Sequence, residues 1–290
     1  VPEGSDVNLP LLPDSVLDSF LAEDVSLLDL TTHVLGIGEK SGRMSFAARE
    51  PMVVACIEDA ARLVSRAGAD VTLHAASGES HAAADLLLSA SGSAASLLRV
   101  WKVAQTLVEV ASGIATAARA VVDAARAVKP SIAVTCTRKT APGTKSMSLK
   151  AILAGGATPH RLGLSETILI FAEHRSFLAS TPEAIVALLK REAAEKKTLV
   201  EVASVEEAMV WALAGADVIQ CEKFPPGEIE ALRRGLSAKG VRPLVAAAGG
   251  VNAGNAALYA AAGADILVTS APYWGKPAEV AVRLEASAQI

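Results

Sequence analysis

The sequence predicts an α/β fold in two parts, a βα alternation from about residue 130 onward and a smaller α+β domain before it. Three observations carry this. Short β-rich runs alternate with amphipathic stretches of helical period. The runs are continuously apolar, as strands covered on both faces are. Polar residues or glycines stand at or just past the C-terminal end of one run after another. Parallel strands flanked by helices satisfy the first two observations. The third favours a barrel, whose strand ends converge on one mouth, over an open doubly wound sheet.

In chain order, RMSFAAREPMVVACI and DVTLHAA mix with helices expected at 53–67 and 94–111, which makes residues 1–110 the smaller domain. The segment SAASLLRVWKVAQTLVEVASGIATAARAVVDAAR carries the chain onward, with Gly113 expected near a break in the helix. Residues 111–274 then form the second domain, with no low-complexity linker between the two. Its strands are read at Ile132–Cys136, Thr167–Phe171, Thr198–Val202, Val218–Cys221, Leu244–Ala248 and Ile266–Thr269, with helices at 182–197, 204–216, 227–240 and 252–264. Thr181-Pro182, Ser204 with Glu207 three residues on, and Asn252 are capping residues, and glycines close the later helices. The string AGAD at 214–217 and again at 262–265 marks a helix-to-strand turn.

Composition excludes several classes of function. The chain has 290 residues, 51% of them hydrophobic, enough for a large core without staples. A net charge of −4 lacks the basic stripe of a nucleic-acid surface. Cys56, Cys136 and Cys221 are scattered without CxxC spacing, so neither a disulfide framework nor a zinc site is expected, and a reducing cytoplasm fits. The N-terminal VPEGSDVNLP lacks the basic and apolar regions of a signal peptide, and no apolar run suits membrane insertion.

The candidate site lies at the strand ends. An Arg-Lys pair there is commonly just solvated, but Arg138 and Lys139 are flanked by Thr137 and Thr140 and followed by a Pro-Gly turn, a grouping suited to a phosphate or carboxylate. His160 and Arg161 add two donors after a glycine-bearing turn. Lys139 alone would also serve a Schiff-base aldolase, although its cationic neighbours suit an anion clamp better. Glu201 and Glu222, ordinary as single carboxylates, end successive strands and together suit Mg²⁺ or sugar hydroxyls. Ala248, Gly249 and Gly250, with Ser270 and Ala271 after the last strand, suit a phosphate cup near a helix N-terminus. A sugar phosphate with a second anionic group fits the whole set.

The strings TRKTAPG, AGGATPHRLGLSE, EVASVEE, LAEDVSLLDLTT and AAREPMVVA resemble the quinolinate phosphoribosyltransferase family, the carboxylating nicotinate-nucleotide pyrophosphorylases, from about residue 15 to about residue 275. The ending LVTSAPYWGKPAEVAVRLE is similar to its ModD subgroup, named for molybdenum-transport operons. The resemblance implies a type II phosphoribosyltransferase with an N-terminal α/β-sandwich domain, onto which residues 275–290 pack back, and a seven-stranded open α/β barrel. It implies phosphoribosyl pyrophosphate as donor, a heterocyclic acceptor, Mg²⁺, and a homodimer or higher oligomer with shared active sites. Arg138, Lys139, His160 and Arg161 match the family's cationic residues, and Glu201 its first ribose or metal carboxylate. Other positions differ. Lys102 stands where the family has the arginine supplied across the dimer, Glu222 replaces Asp, Ala248 replaces Ser, Ser270 replaces Gly, and Phe171 replaces a lysine. The last change implies an acceptor less negative than quinolinate, or with its acid groups placed differently. A different class, a binding or regulatory module beside a molybdenum transporter that keeps the fold without turnover, is the alternative.

Overall fold

The computed structural model describes residues 9–287; the first eight residues, on which the signal-peptide reading partly rests, and the last three of the segment 275–290 lie outside them. Among these residues the chain divides into two compact units, 9–119 with 141–156 and 273–287, and 120–140 with 157–272.

In the first unit, α1 (Asp14–Asp24) and α2 (Leu30–Leu35) precede β1 (Ser41–Ala48), β2 (Met52–Val53), α3 (Ile57–Arg66), β3 (Asp70–Leu73), β4 (Ser80–His81), β5 (Leu86–Ser93) and the long α4 (Ala94–Arg126), whose last turns belong to the second unit. In β1 the residues Met44, Phe46 and Ala48 are buried while their neighbours are more exposed, the period-two pattern of a sheet with one covered face. α4 runs unbroken through Gly113, contrary to the break expected there. This glycine answers a close approach: a Cβ at this position would collide with the Lys276 carbonyl and lie 2.8 Å from Pro277 Cα.

The second unit contains β6 (Ala133–Cys136); α5 (Lys145–Ala154), which follows β6 in sequence, belongs to the first. Then come β7 (Thr158–Pro159), β8 (Ile168–Ile170), α6 (Ala172–Arg175), α7 (Pro182–Glu192), β9 (Thr198–Val202), α8 (Val205–Leu213), β10 (Val218–Glu222), α9 (Pro226–Ala238), β11 (Leu244–Ala248), α10 (Ala256–Ala261), β12 (Ile266–Thr269) and a 3₁₀ turn at Ala271–Trp274. The final strand, β13 (Val280–Ala286), is in the first unit, where it completes the sheet order β13-β1-β5-β3 by pairing antiparallel with β1. Thr181 and Ser204 cap α7 and α8 through side-chain oxygens that accept from Ala184 N–H and Glu207 N–H. α10 starts four residues later than its expected start at Asn252, because the Asn252 carboxamide accepts from Gly254 N–H and closes a turn instead of opening a helix.

The seven strands of this unit pair in parallel in the order β7-β6-β12-β11-β10-β9-β8. Laid flat, with strands about 4.8 Å apart, such a sheet would hold β7 and β8 roughly 29 Å from one another. One cavity nevertheless touches residues at the ends of all seven strands, so the sheet curls into the seven-stranded open α/β barrel expected from the sequence. Leu169, Leu199, Val218, Ala246, Ala248 and Val268 pack together as its interior, with Phe171 and Ile266 against them. No helix among the described residues is long and apolar enough to cross a membrane.

Candidate active site

The barrel mouth is a cavity of about 790 Å³. Its cationic side is set by ladder bonds that continue past two strands. Thr137 N–H donates to Thr269 O at 2.9 Å, and His160 N–H donates to Cys136 O at 2.8 Å. Arg138, Lys139, His160 and Arg161 therefore leave from neighbouring strand ends. Thr137 Oγ1 accepts from Lys139 N–H at 3.3 Å and closes the turn that carries the pair. Arg138 and Lys139 are exposed, whereas Arg161 is only 6% exposed. Burial, then the charges of Arg161 and Arg138, hold the His160 imidazole below its ordinary pKa, with Glu166 opposing. Burial and Arg138 likewise lower that of Arg161. Cations crowded in this way gain from a bound anion, which relieves their repulsion and compensates their desolvation.

The opposite side is acidic. Glu201 is the penultimate residue of β9, and Glu222 ends the neighbouring β10. Burial, then the charges of Glu222 and Glu173, raise the Glu201 pKa above the usual carboxylate value, while a hydrogen bond from Gln220 opposes the shift. The position of Glu222 depends on Gly249, because a Cβ there would lie 2.7 Å from Glu222 Oε1. Among the described residues no group of three or more histidine, cysteine or acidic side chains is arranged around a metal. Two carboxylates in one cavity fit an ion such as Mg²⁺, which commonly takes one or two carboxylates plus substrate oxygens and does not require an all-protein cage.

Beyond β11, Gly249 and Gly250 both have left-handed backbone, with φ of +82° and +85°. Asn252 Nδ2 and Asn255 Nδ2 donate to Gly250 O at 3.0 Å each, and Thr269 Oγ1 donates to Val251 O at 2.6 Å, which anchors this loop against the end of β12. The backbone thus approaches the cavity without side chains, beside Ser270 and Ala271 at the head of the 3₁₀ turn.

Of the residues singled out from the sequence, all but Thr140 and Lys102 line this cavity. Lys102 is an exposed residue of α4 in the first unit, where its ammonium donates to Gln105 Oε1 at 2.9 Å and lies 4.1 Å from the Trp101 ring centroid. Lys139, exposed on its loop, lacks the desolvated pocket of a Schiff-base lysine. Phe171 is half-buried, stacked on His174 with ring centroids 5.7 Å apart, and Arg161 Cζ lies 5.6 Å from its ring centroid. The sequence reading missed Gln220 and Asn252 as lining residues; Gln220 left a signal, as the one amide in the apolar run Val218–Cys221. The cysteines are buried and offer no nucleophile: burial pushes the Cys136 and Cys221 thiols up to about 12, and Cys56 higher still.

Residues 29–112 match the N-terminal domain of quinolinate phosphoribosyl transferase, and residues 114–279 match its C-terminal domain. The chain is 48% identical to a Rhodobacter capsulatus protein named pyrophosphorylase ModD over 248 residues, 85% of this chain and 95% of that one. It is 32% identical to the carboxylating nicotinate-nucleotide pyrophosphorylase of Mycobacterium leprae over 250 residues, 84% of this chain and 86% of that one. Its fold superposes on NadC from Streptococcus pyogenes with a TM-score of 0.87 at 25% identity, over 96% of this chain and 99% of the other.

Proposed function

Because this chain belongs to the quinolinate phosphoribosyl transferase family, we propose that it transfers phosphoribosyl from phosphoribosyl pyrophosphate to a ring nitrogen of a heterocyclic acceptor, releasing pyrophosphate. One observation carries the reading: a single cavity faces a cationic wall with two carboxylates and a side-chain-free glycine loop. The transferred sugar passes through an oxocarbenium-like state, so the protein must stabilise the leaving pyrophosphate and hold the acceptor nitrogen in line. Arg138, Lys139, His160 and Arg161 supply positive charge to the pyrophosphate and to acid groups on the acceptor. Gly249, Gly250 and Ser270 receive the 5′-phosphate, and Glu201 and Glu222 orient the ribose. The same two carboxylates would hold Mg²⁺, which when bound adds charge stabilisation to the leaving group.

Phe171 presents a phenyl ring in this cavity, and a ring cannot neutralise a buried carboxylate. The acceptor accordingly carries less negative charge than quinolinate, or places its acid groups toward Arg161. Lys102, off the mouth's lining and matching the family's partner-supplied cation, serves the site of the second subunit in a homodimer.

Calorimetry tests the donor assignment. The expected result is saturable binding of phosphoribosyl pyrophosphate that strengthens when Mg²⁺ is added. Folded protein that shows no heat of binding under either condition contradicts it.

A further inference from the structure

Gln220 is a polar residue on the floor of the mouth whose hydrogen bonding is half complete. It lies inward on β10 between Val218 and Glu222, and its register partners are Glu201 on β9 and Ala246 on β11. Only 4% of the residue is exposed. Its Nε2 donates to Glu201 Oε2 at 2.7 Å, while its Oε1, also buried, has no hydrogen-bond partner among the described residues.

The orientation of the amide follows from chemistry. A carboxylate only accepts hydrogen bonds, so the NH₂ end faces Glu201 and the carbonyl oxygen faces away. On the other flank Ala246 contributes only a methyl group, which leaves room beside that oxygen. Buried side-chain acceptors in folded proteins are nearly always paired, and one that is not is a candidate for a ligand. Val218 shows that an apolar side chain is accommodated two residues earlier on the same inward face.

We propose that Gln220 Oε1 accepts a hydrogen bond from an O–H or N–H of the bound substrate, making Gln220 a specificity-determining residue of the mouth. This rests on the phosphoribosyl transfer reading and deepens it. Two sources carry such a donor: a ribose hydroxyl of phosphoribosyl pyrophosphate, and an amino group or ring N–H of the acceptor. Glu201 and Gln220 are register partners on β9 and β10, and Phe171 directly follows β8, the strand paired with β9 on its other side; the three together line the cavity. A flat ring against Phe171 would turn its edge toward the carboxylate and the amide.

The experiment compares wild type with Gln220→Met, which is close in size, and with Gln220→Leu. Binding of phosphoribosyl pyrophosphate with Mg²⁺ is measured by calorimetry. Binding of heterocycles paired by one amino group, nicotinate with 6-aminonicotinate and purine with adenine, is measured in its presence. The variants are expected to unfold at about the wild-type temperature, since loss of the unpaired buried acceptor is favourable and loss of the donor to Glu201 Oε2 is not, and to lose about tenfold in affinity for one class of ligand. If the donor is on the ribose, phosphoribosyl pyrophosphate itself binds about tenfold more weakly. If it is on the acceptor, that affinity stays and the preference for the amino-bearing member of each pair disappears. Variants that bind every probe as wild type does overturn the inference, as do variants that unfold earlier and lose affinity for all probes alike. A folded wild type that binds none of the probes instead brings down the transferase reading, and this inference with it.

Discussion

Lys150→Met is expected to lower the stability of the protein by about 3–5 kcal/mol, the usual effect of removing one partner from a buried ion pair. Lys150 on α5 is 1% exposed, and its ammonium donates to Asp59 Oδ2 at 2.6 Å and Glu58 Oε2 at 2.8 Å. Asp59 is fully buried, and its other oxygen accepts from Leu12 N–H at 2.9 Å and Arg62 Nη1 at 3.1 Å. Burial alone pushes the Lys150 pKa down, but the hydrogen bonds to Asp59 and Glu58 more than offset it, leaving the group above its ordinary value. Burial likewise raises Glu58, and its bonds from Lys150 and Ser77 bring it net below the usual carboxylate range. The signs follow by linkage. The lowered Glu58 contributes stability above the unfolded carboxylate pKa, which is lost as pH falls through the folded value. The raised Lys150 contributes stability below the unfolded lysine pKa, which is lost as pH rises through its folded value. Methionine fills the volume but leaves the buried Asp59 Oδ2 without its ammonium, with Arg62 still paired to the other oxygen. Urea unfolding at neutral pH measures the loss, and the double variant Lys150→Met with Asp59→Leu is expected to recover part of it. A loss below about 1 kcal/mol would show that the pair is solvated in solution.

The second large effect is catalytic. Glu201→Ala and Lys102→Ala are each expected to lower the rate about 10²- to 10³-fold, the scale for loss of one preorganised polar group at a developing charge. The two losses are expected to complement. In a homodimer with shared sites, a heterodimer of the variants restores one site that has both Glu201 and Lys102. Random exchange of subunits then recovers about a quarter of wild-type activity. Mixing the inactive proteins, with exchange followed by native mass spectrometry, measures this. Complete exchange without recovery would place both residues in the same subunit's site or remove Lys102 from it.

What the sequence disclosed follows the reach of each signal. Cations, carboxylates and glycines past the ends of apolar runs were legible because parallel strands force their ends to one side, and nearly all of them line a single cavity. β7 was not, since it has two residues and one is Pro159, which donates nothing to a ladder. Gly113 was misread as a helix break because local propensity does not register the β13 approach segment, Lys276 and Pro277, packed against it. Gln220 escaped because a glutamine within a strand is ordinary until its depth and its unpaired oxygen are known.

The most direct test of phosphoribosyl transfer is pyrophosphate release by the wild-type protein, supplied with phosphoribosyl pyrophosphate, Mg²⁺ and a panel of nitrogen heterocycles that includes quinolinate. The expected result is release that depends on both the donor and one class of heterocycle, faster with a less acidic ring than with quinolinate, and reduced about 10²- to 10³-fold by Glu201→Ala. Efficient turnover of quinolinate would contradict the acceptor assignment alone. Tight binding of the donor with no pyrophosphate released from any member of the panel would contradict the transferase and favour a metabolite-binding module on the same fold.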